Sequence, residues 1–308
     1  MNTYGTRFRL TTYGESHGLA VGGIIDGCPS GVAIDMEAVA TALSRRREGA
    51  PRAEADQVEW LSGLKDGITL GTPIAFMIHN REARPDDYEQ LQHLFRPGQA
   101  DYTYHARYGL RDHRGGGRAS ARETVARVVA ACVARQLMPD ISIEACARLG
   151  SALSDTDTCG GIVSCRIEGI PAGIGEPLFG KLGAELAAAM MSIPSAIGFE
   201  IGAGFAAAQM TGSQYIDRWA PTPEAGGKAH TLTNHCGGIQ GGITNGMPVE
   251  FRVAFHPVAT LPEPVECLSE DGQLATVSVG GRHDRAAVLR APVIVESMAA
   301  LCLINHLL

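Results

Sequence analysis

Residues 107–123 read Arg-Tyr-Gly-Leu-Arg-Asp-His-Arg-Gly-Gly-Gly-Arg-Ala-Ser-Ala-Arg-Glu. Five arginines flank three consecutive glycines just before an apolar helical pattern. Glycines let backbone N–H groups approach a ligand, a helix N-terminus adds partial positive charge, and guanidinium forks match phosphate and carboxylate. The segment predicts an anion site. It is not a Walker loop, because the Gly-Lys-Ser/Thr ending is missing. A second basic group, Arg45, Arg46, Arg47 and Arg52, closes another helical pattern. On a surface it would be a solvated face favoured by the helix dipole, and in a cleft it would bind polyanions. Residues 11–18, Thr-Thr-Tyr-Gly-Glu-Ser-His-Gly, place His17 among small residues, where an imidazole suits acid–base work. A lone turn histidine is more often structural, and the Gly-x-Ser-x-Gly elbow of a hydrolase is absent here. The glycine-rich run 234–246 suits a cofactor lying against main chain. Residues 280–284, Gly-Gly-Arg-His-Asp, set Arg282 beside Asp284, so an anion, a proton and a countercharge can meet.

The 308 residues carry a formal net charge of −7, which argues against a nucleic-acid binder. Only three of the 26 basic residues are lysines. Codon bias and anion recognition both predict such an excess of arginine, and position must decide between them. The eight cysteines form no Cys-x-x-Cys pair and match no zinc spacing, so no metal is expected. The N-terminus has no apolar signal core, and the stretch 125–137 is too short and too charged to span a bilayer. A cytoplasmic protein with free thiols and no membrane partner is the expectation.

These residues need elements to hold them. Periodicity predicts strands over 21–26, 68–69, 74–79, 161–168 and 249–256, and helices over 36–47, 119–137, 178–191 and 295–306. Asp35 is placed to cap the first helix, and Ser120 with Glu123 has the spacing of a capping box. Residues 25–32, Ile-Asp-Gly-Cys-Pro-Ser-Gly-Val, resemble residues 167–174, Ile-Glu-Gly-Ile-Pro-Ala-Gly-Ile. Both read as strand, Pro/Gly turn, helix. With no linker dividing the chain, one unit over 1–308 with an internal, pseudo-symmetric duplication is expected.

Six motifs in order along the chain are similar to those of the chorismate synthase family. They are Gly-Glu-Ser-His-Gly, Arg-Arg-Arg-x-Gly, Arg-Pro-Gly-x-Ala-Asp-Tyr-Thr-Tyr, Arg-Gly-Gly-Gly-Arg-Ala-Ser-Ala-Arg-Glu-Thr, Asn-His-x-Gly-Gly-Ile-x-Gly-Gly-Ile and Gly-Arg-His-Asp. The resemblance implies an α+β fold, a β-α-β sandwich with helices enclosed between antiparallel sheets, assembled as a homotetramer. It implies anti-1,4-elimination of phosphate and a proton from 5-enolpyruvylshikimate 3-phosphate, a step of aromatic amino-acid biosynthesis. Reduced FMN is the implied cofactor, with NADPH as a possible flavin reductant. By the same resemblance His17 and Asp284 are catalytic, and Arg46 and Arg52 bind substrate or nicotinamide nucleotide. Arg118, Ala119, Ser120, Gly241, His256, Thr260 and Arg282 hold the flavin.

Some positions depart from the family pattern. Gln99 stands where the family has a histidine assigned to assist phosphate departure. His256 replaces a lysine in the segment ending at Thr260, Ile197 replaces a lysine, and Arg285 replaces a proline. The stretch between Ile143 and Gly161 is short by a few dozen residues. Glutamine delivers no proton near neutral pH, and general acid assistance is worth about 10²–10⁴-fold. Alternatives are therefore a paralogue that binds flavin or an anion without turnover, and a lyase for a related cyclohexene phosphate. His105, His113 and His256 are candidates to stand in for the missing acid.

Overall fold

The computed structural model describes residues 1–48, 55–151, 157–221, 229–261, 263–278 and 284–308. Its first half runs β1 (Thr3–Tyr4), β2 (Arg9–Tyr13), β3 (Ala20–Asp26), α1 (Met36–Arg47), β4 (Glu59–Trp60), β5 (Leu64–Lys65), β6 (Ile68–Thr69), β7 (Ile74–His79), β8 (Leu94–Phe95), α2 (Asp101–Tyr108) and α3 (Thr124–Gln136). The second runs β9 (Ser142–Leu149), β10 (Gly161–Glu168), α4 (Leu182–Met191), β11 (Ala196–Ile201), α5 (Gly212–Tyr215), β12 (Ile239–Gln240), β13 (Ile243–Thr244), β14 (Val249–Phe255), β15 (Val265–Ser269), β16 (Leu274–Val277) and α6 (Ala291–Leu307). Two antiparallel sheets result, ordered β1-β2-β3-β7-β4 and β11-β14-β10-β9. Helix α3 packs on β2 and β3, α6 packs on β9 and β10, and α3 and α6 pack on each other. The helices are thus enclosed between sheets, as expected for an α+β sandwich.

Side-chain alternation explains the sheets. Along β10, Val163, Cys165 and Ile167 are buried while Ser164, Arg166 and Glu168 face outward. The central helices α3 and α6 bury residues on nearly every face, so they are internal. Helix α6 with the turn before it, Ala287–Leu307, has the length and composition to cross a membrane, yet lies mostly buried in the core. It is more apolar than the 125–137 stretch singled out from the sequence.

The duplication is present in atomic detail. Gly27 and Gly169 have φ of +86° and +81°, and Gly31 and Gly173 have +83° and +98°. A side chain at Gly27 or Gly169 would run into the carbonyl oxygen of Arg7 or Asp140. In the first copy Thr69 Oγ1 donates to Pro29 O (2.7 Å) and accepts from Val32 N–H (2.9 Å). In the second, Thr244 Oγ1 donates to Pro171 O (2.6 Å) and accepts from Ile174 N–H (2.9 Å). Each threonine ends a two-strand hairpin, β5–β6 or β12–β13, that pins its turn. Gly241 lies in the second hairpin's turn, where its φ is +63°.

Two local expectations fail. Two 3-10 turns, Gly117–Ala119 and Ala121–Glu123, precede α3, which starts only at Thr124. The Ser120–Glu123 capping box does not form, because buried Glu123 instead accepts from Thr12 Oγ1 (2.8 Å) and pairs with Arg127 (3.0 Å). Asp35 does cap α1, accepting from Ala38 N–H at 2.8 Å.

Arg45, at the end of α1, makes a two-pronged bond to Glu296 of α6, 2.8 Å per prong. Glu296 is 3 % exposed and also accepts from Ala145 N–H of β9. Removing that carboxylate leaves Arg45 and Arg135 facing an apolar wall. Both arginines are partly solvated, so Glu296→Ala is expected to cost about 1–3 kcal/mol, less than a fully buried pair. Urea unfolding measures it.

Candidate active site

The Gly-Glu-Ser-His-Gly loop between β2 and β3 is held from two sides. Ser16 N–H donates to Gly117 O at 3.3 Å. Asn80, at the end of β7, donates to Glu15 O (3.0 Å) and Gly18 O (2.9 Å). His17 Nδ1 accepts the Arg84 N–H at 3.1 Å, and its ring meets Tyr88 edge-on at 4.8 Å. Because Nδ1 accepts, a neutral His17 carries its proton on Nε2. That edge of the ring lies against Gly115, where an added Cβ would sit 2.6 Å from Cδ2 and 3.0 Å from Nε2.

Gly115, Gly116 and Gly117 wall a cavity of about 620 Å³. Around it stand Arg118, Ala119 and Ser120, the segment containing Gln99, the segment from His256 to Thr260, and Asp284. A second cavity of about 200 Å³ adjoins it, sharing Ser120, Ala121, Pro194, Ser195, His256 and Ala287. Arg46, Arg47, Arg122 and Arg290 line this smaller chamber, with Asp56 as its carboxylate. The arginines gathered in this chamber are not mainly those of the glycine-rich segment. Within the glycine-rich segment, Arg107 is exposed on α2. Arg111 binds the carbonyls of Leu91 and Leu94, Arg114 binds Asp112, and Arg118 binds Gly14 O and Thr12 Oγ1. Only Arg122 from that segment reaches the arginine chamber.

Arg46 donates to Thr124 Oγ1 (3.0 Å) and Ala121 O (2.8 Å), with Asp56 at 3.5 Å. Burial lowers its guanidinium to about 10, with Asp56 opposing and Arg122 and Arg290 adding to the depression. Burial also lowers Arg290, which pairs with Asp284. These cations stay charged at neutral pH in a place that disfavours charge, and a bound anion relieves that penalty. Arg122 links the chamber to the His17 loop through Asn80 Oδ1, at 2.8 Å. Asp56, Asn80 and Arg290 were not singled out from the sequence. No motif marks them, and each acts on a partner distant in the chain.

Arg96 and Asp101, buried together, form a bidentate pair at 2.8 and 2.9 Å, and Arg96 also donates to Gly115 O (2.8 Å). Burial alone would raise the Asp101 carboxyl, but Arg96 outweighs it and holds it below the usual range. The pair fixes the loop that presents Gln99, whose Nε2 donates to Thr260 Oγ1 at 3.0 Å. Gly241 lines neither cavity within one chain. Arg52 and Arg282 lie outside the described residues.

A family model described as chorismate synthase matches residues 8–152 and 144–308. The chorismate synthase of Porphyromonas gingivalis is 45 % identical, covering 98 % of this chain and 94 % of that protein. The chain belongs to the chorismate synthase family. A Synechococcus chorismate synthase is 42 % identical over 100 % of this chain and 98 % of its own length. A crystal structure of chorismate synthase superposes with a TM-score of 0.77 at 27 % identity, covering 99 % of this chain and 92 % of that one. The two matched stretches overlap at residues 144–152. Strands β9 and β10 pair from Gly161 with Leu149 through Glu168 with Ser142. Gln99 and Thr260, the latter closing the segment 256–260, are in direct contact. Ile197 is 60 % exposed and lines neither cavity.

Proposed function

We propose that the joined cavities carry out the chorismate synthase reaction, the loss of phosphate and a proton from 5-enolpyruvylshikimate 3-phosphate. The observation that carries this reading is the arginine chamber, four guanidiniums against Asp56, opening onto a larger glycine-walled chamber. A substrate with one phosphate and two carboxylates needs several fixed cations, and Arg46, Arg47, Arg122 and Arg290 offer them. Forked donors also orient planar anions.

FMN fits the larger chamber. Its volume is within the usual range for small-molecule sites, about 300–1,000 Å³. Its floor is glycine where side chains would intrude: a Cβ at Gly98 would lie 2.8 Å from Ala259 Cβ. When bound in reduced form, the flavin supplies electron density and a base for the departing ring proton. Ser120 and the backbone of Arg118 and Ala119 would border it, and Thr260 and His256 would hold its phosphate. His17 stands behind Gly115 rather than on the chamber wall, and would influence the flavin's protonation across that glycine. Asp284, on the wall of the larger chamber and held by Arg290, would take up that ring proton in turn. The reading extends to NADPH as the flavin's reductant, a cytoplasmic location and a homotetramer, the last measurable by light scattering. The competing reading, a paralogue that binds without turnover, draws on Gln99 and His256.

The flavin-phosphate end is the weakest part of the site. A histidine stands for the family's lysine, and the Thr260 hydroxyl is already engaged by Gln99. FMN is thus expected to bind weakly alone and more tightly once the substrate's charge fills the arginine chamber. Fluorescence titration of oxidised and reduced FMN, with and without substrate, measures this. If neither flavin form bound under any of these conditions, the cofactor assignment would be wrong.

A further inference from the structure

We propose that Glu185, Cys302 and His306 form a binding site for a divalent metal ion of the zinc class, joining α4 to α6. Their ligand atoms, a carboxylate oxygen, the thiol sulfur and an imidazole nitrogen, all lie within 4.8 Å of one another. Among the described residues no other three histidine, cysteine or acidic side chains come so close. Cys302 and His306 stand one helical turn apart on α6, which puts both on one face. Glu185 comes from the first turn of α4, which packs on α6. Comparing cysteines only with one another misses such a group, because here a cysteine joins a histidine and a carboxylate.

The donors fit an ion better than they fit one another. His306 Nε2 lies 2.8 Å from Glu185 Oε2, yet this buried nitrogen makes no hydrogen bond. The carboxylate oxygen is therefore off the axis along which the ring nitrogen bonds. Four-coordinate zinc, with bonds of about 2.0–2.3 Å, holds its ligand atoms roughly 3.3–3.6 Å apart. Opening the imidazole–carboxylate contact by less than about 1 Å reaches that spacing. Glu185 has the freedom to make the adjustment, with 44 % of its side chain exposed. The same exposure gives an ion a way in from solvent, while Cys302 is sealed in the core. Among the described residues no arginine or lysine pairs with Glu185, so none competes with an ion for it. Sulfur, imidazole and carboxylate together suit zinc, whereas magnesium and calcium favour oxygen alone. The Tyr4 hydroxyl stands beside the Cys302 thiol, so a fourth position falls to it or to water. On binding, the thiol proton leaves to solvent and the sulfur bonds as thiolate, alongside the neutral ring nitrogen and one carboxylate oxygen.

The site stands apart from the cleft, since none of the three residues lines either chamber. Its effect is on the end of α6. Asn305, between the two α6 ligands, accepts from the N–H groups of Thr6, Arg7 and Phe8 at 2.8, 2.8 and 3.2 Å. An ion that ties this turn to α4 therefore also steadies the chain entering β2.

The test uses the full chain, stripped with a chelator, dialysed and titrated anaerobically with Zn²⁺. A parallel titration uses Co²⁺, whose bond to a thiolate gives a charge-transfer band. One equivalent of either ion should bind per chain, and the cobalt form should show the band. The melting temperature should rise with zinc, because an ion that binds only the folded state stabilises it. Cys302→Ala should abolish the band. His306→Gln and Glu185→Gln, at the more exposed side of the group, should weaken zinc by at least about tenfold, and they carry the test if Cys302→Ala fails to fold. Cys146→Ser and Cys236→Ser remove the two thiols that are not buried, and should leave the band in place. Absence of stoichiometric binding would overturn the proposal. So would affinity unchanged in both His306→Gln and Glu185→Gln, or a band lost with Cys146 or Cys236 instead. Turnover in the cleft is measured separately, and neither result decides the other.

Discussion

Replacing Arg46 with alanine is expected to lower kcat/KM for the phosphate substrate by about 10²–10³-fold, with most of the loss in KM. Truncating one partner of a desolvated, hydrogen-bonded charge pair costs about 2–5 kcal/mol, and each 1.4 kcal/mol is about tenfold. Arg46 meets those conditions: it lines the arginine chamber, burial has already pulled its guanidinium down to about 10, and its fork is set by Thr124 Oγ1 and Ala121 O. Arg46→Lys should recover only part of the loss, because an ammonium keeps the charge but not the planar fork. Thermal unfolding separates this from a folding defect, since Arg46 touches Asp56 and Thr124 at the chamber's edge rather than the apolar core. A loss confined to kcat would instead mean that Arg46 acts only in the transition state.

Gly115→Ala should be nearly as damaging, although it adds a single methyl. The new Cβ would sit 2.6 Å from His17 Cδ2 at a backbone φ of +69°, so the imidazole has to move. A displacement of about 1 Å at a catalytic group costs about 10²-fold. Gly109→Ala is the matched control. It has nearly the same φ, +71°, but nothing within 4 Å of its Cβ, and so incurs only the conformational cost of about 1 kcal/mol. Steady-state rates and melting temperatures of the two variants isolate the His17 contribution. Equal activity in both would remove His17 from the account.

Much of the architecture is legible locally. The helix over 36–47 and the strands over 68–69, 74–79 and 161–168 follow the apolar periodicity, because each is built from its own residues. The Pro/Gly repeat declares the duplication, since only glycine fits its positive-φ positions. The threonines that lock those turns are silent in the sequence, standing 40 and 73 residues from the prolines they bind. Arginine density alone does not say which guanidiniums reach the smaller chamber, for a physical reason. A guanidinium binds a backbone carbonyl as readily as a phosphate, and Arg111 Nη2 and Arg118 Nη1 are engaged in that way. Arg290, at the start of α6, enters the chamber only because α6 packs across to the other half. Gln99 and Thr260, the latter in the segment that His256 opens, stand 161 residues apart, yet they share a hydrogen bond. Change at one therefore alters the setting of the other, which sequence order does not convey.

The central claim is that the cleft performs the elimination as well as binding its ligands. The direct measurement is anaerobic incubation of the wild-type protein with 5-enolpyruvylshikimate 3-phosphate and dithionite-reduced FMN, following chorismate and phosphate together. The account predicts that both appear in equal amounts over many turnovers, and that oxidised FMN gives neither. Binding of substrate and reduced flavin without formation of either product would contradict it.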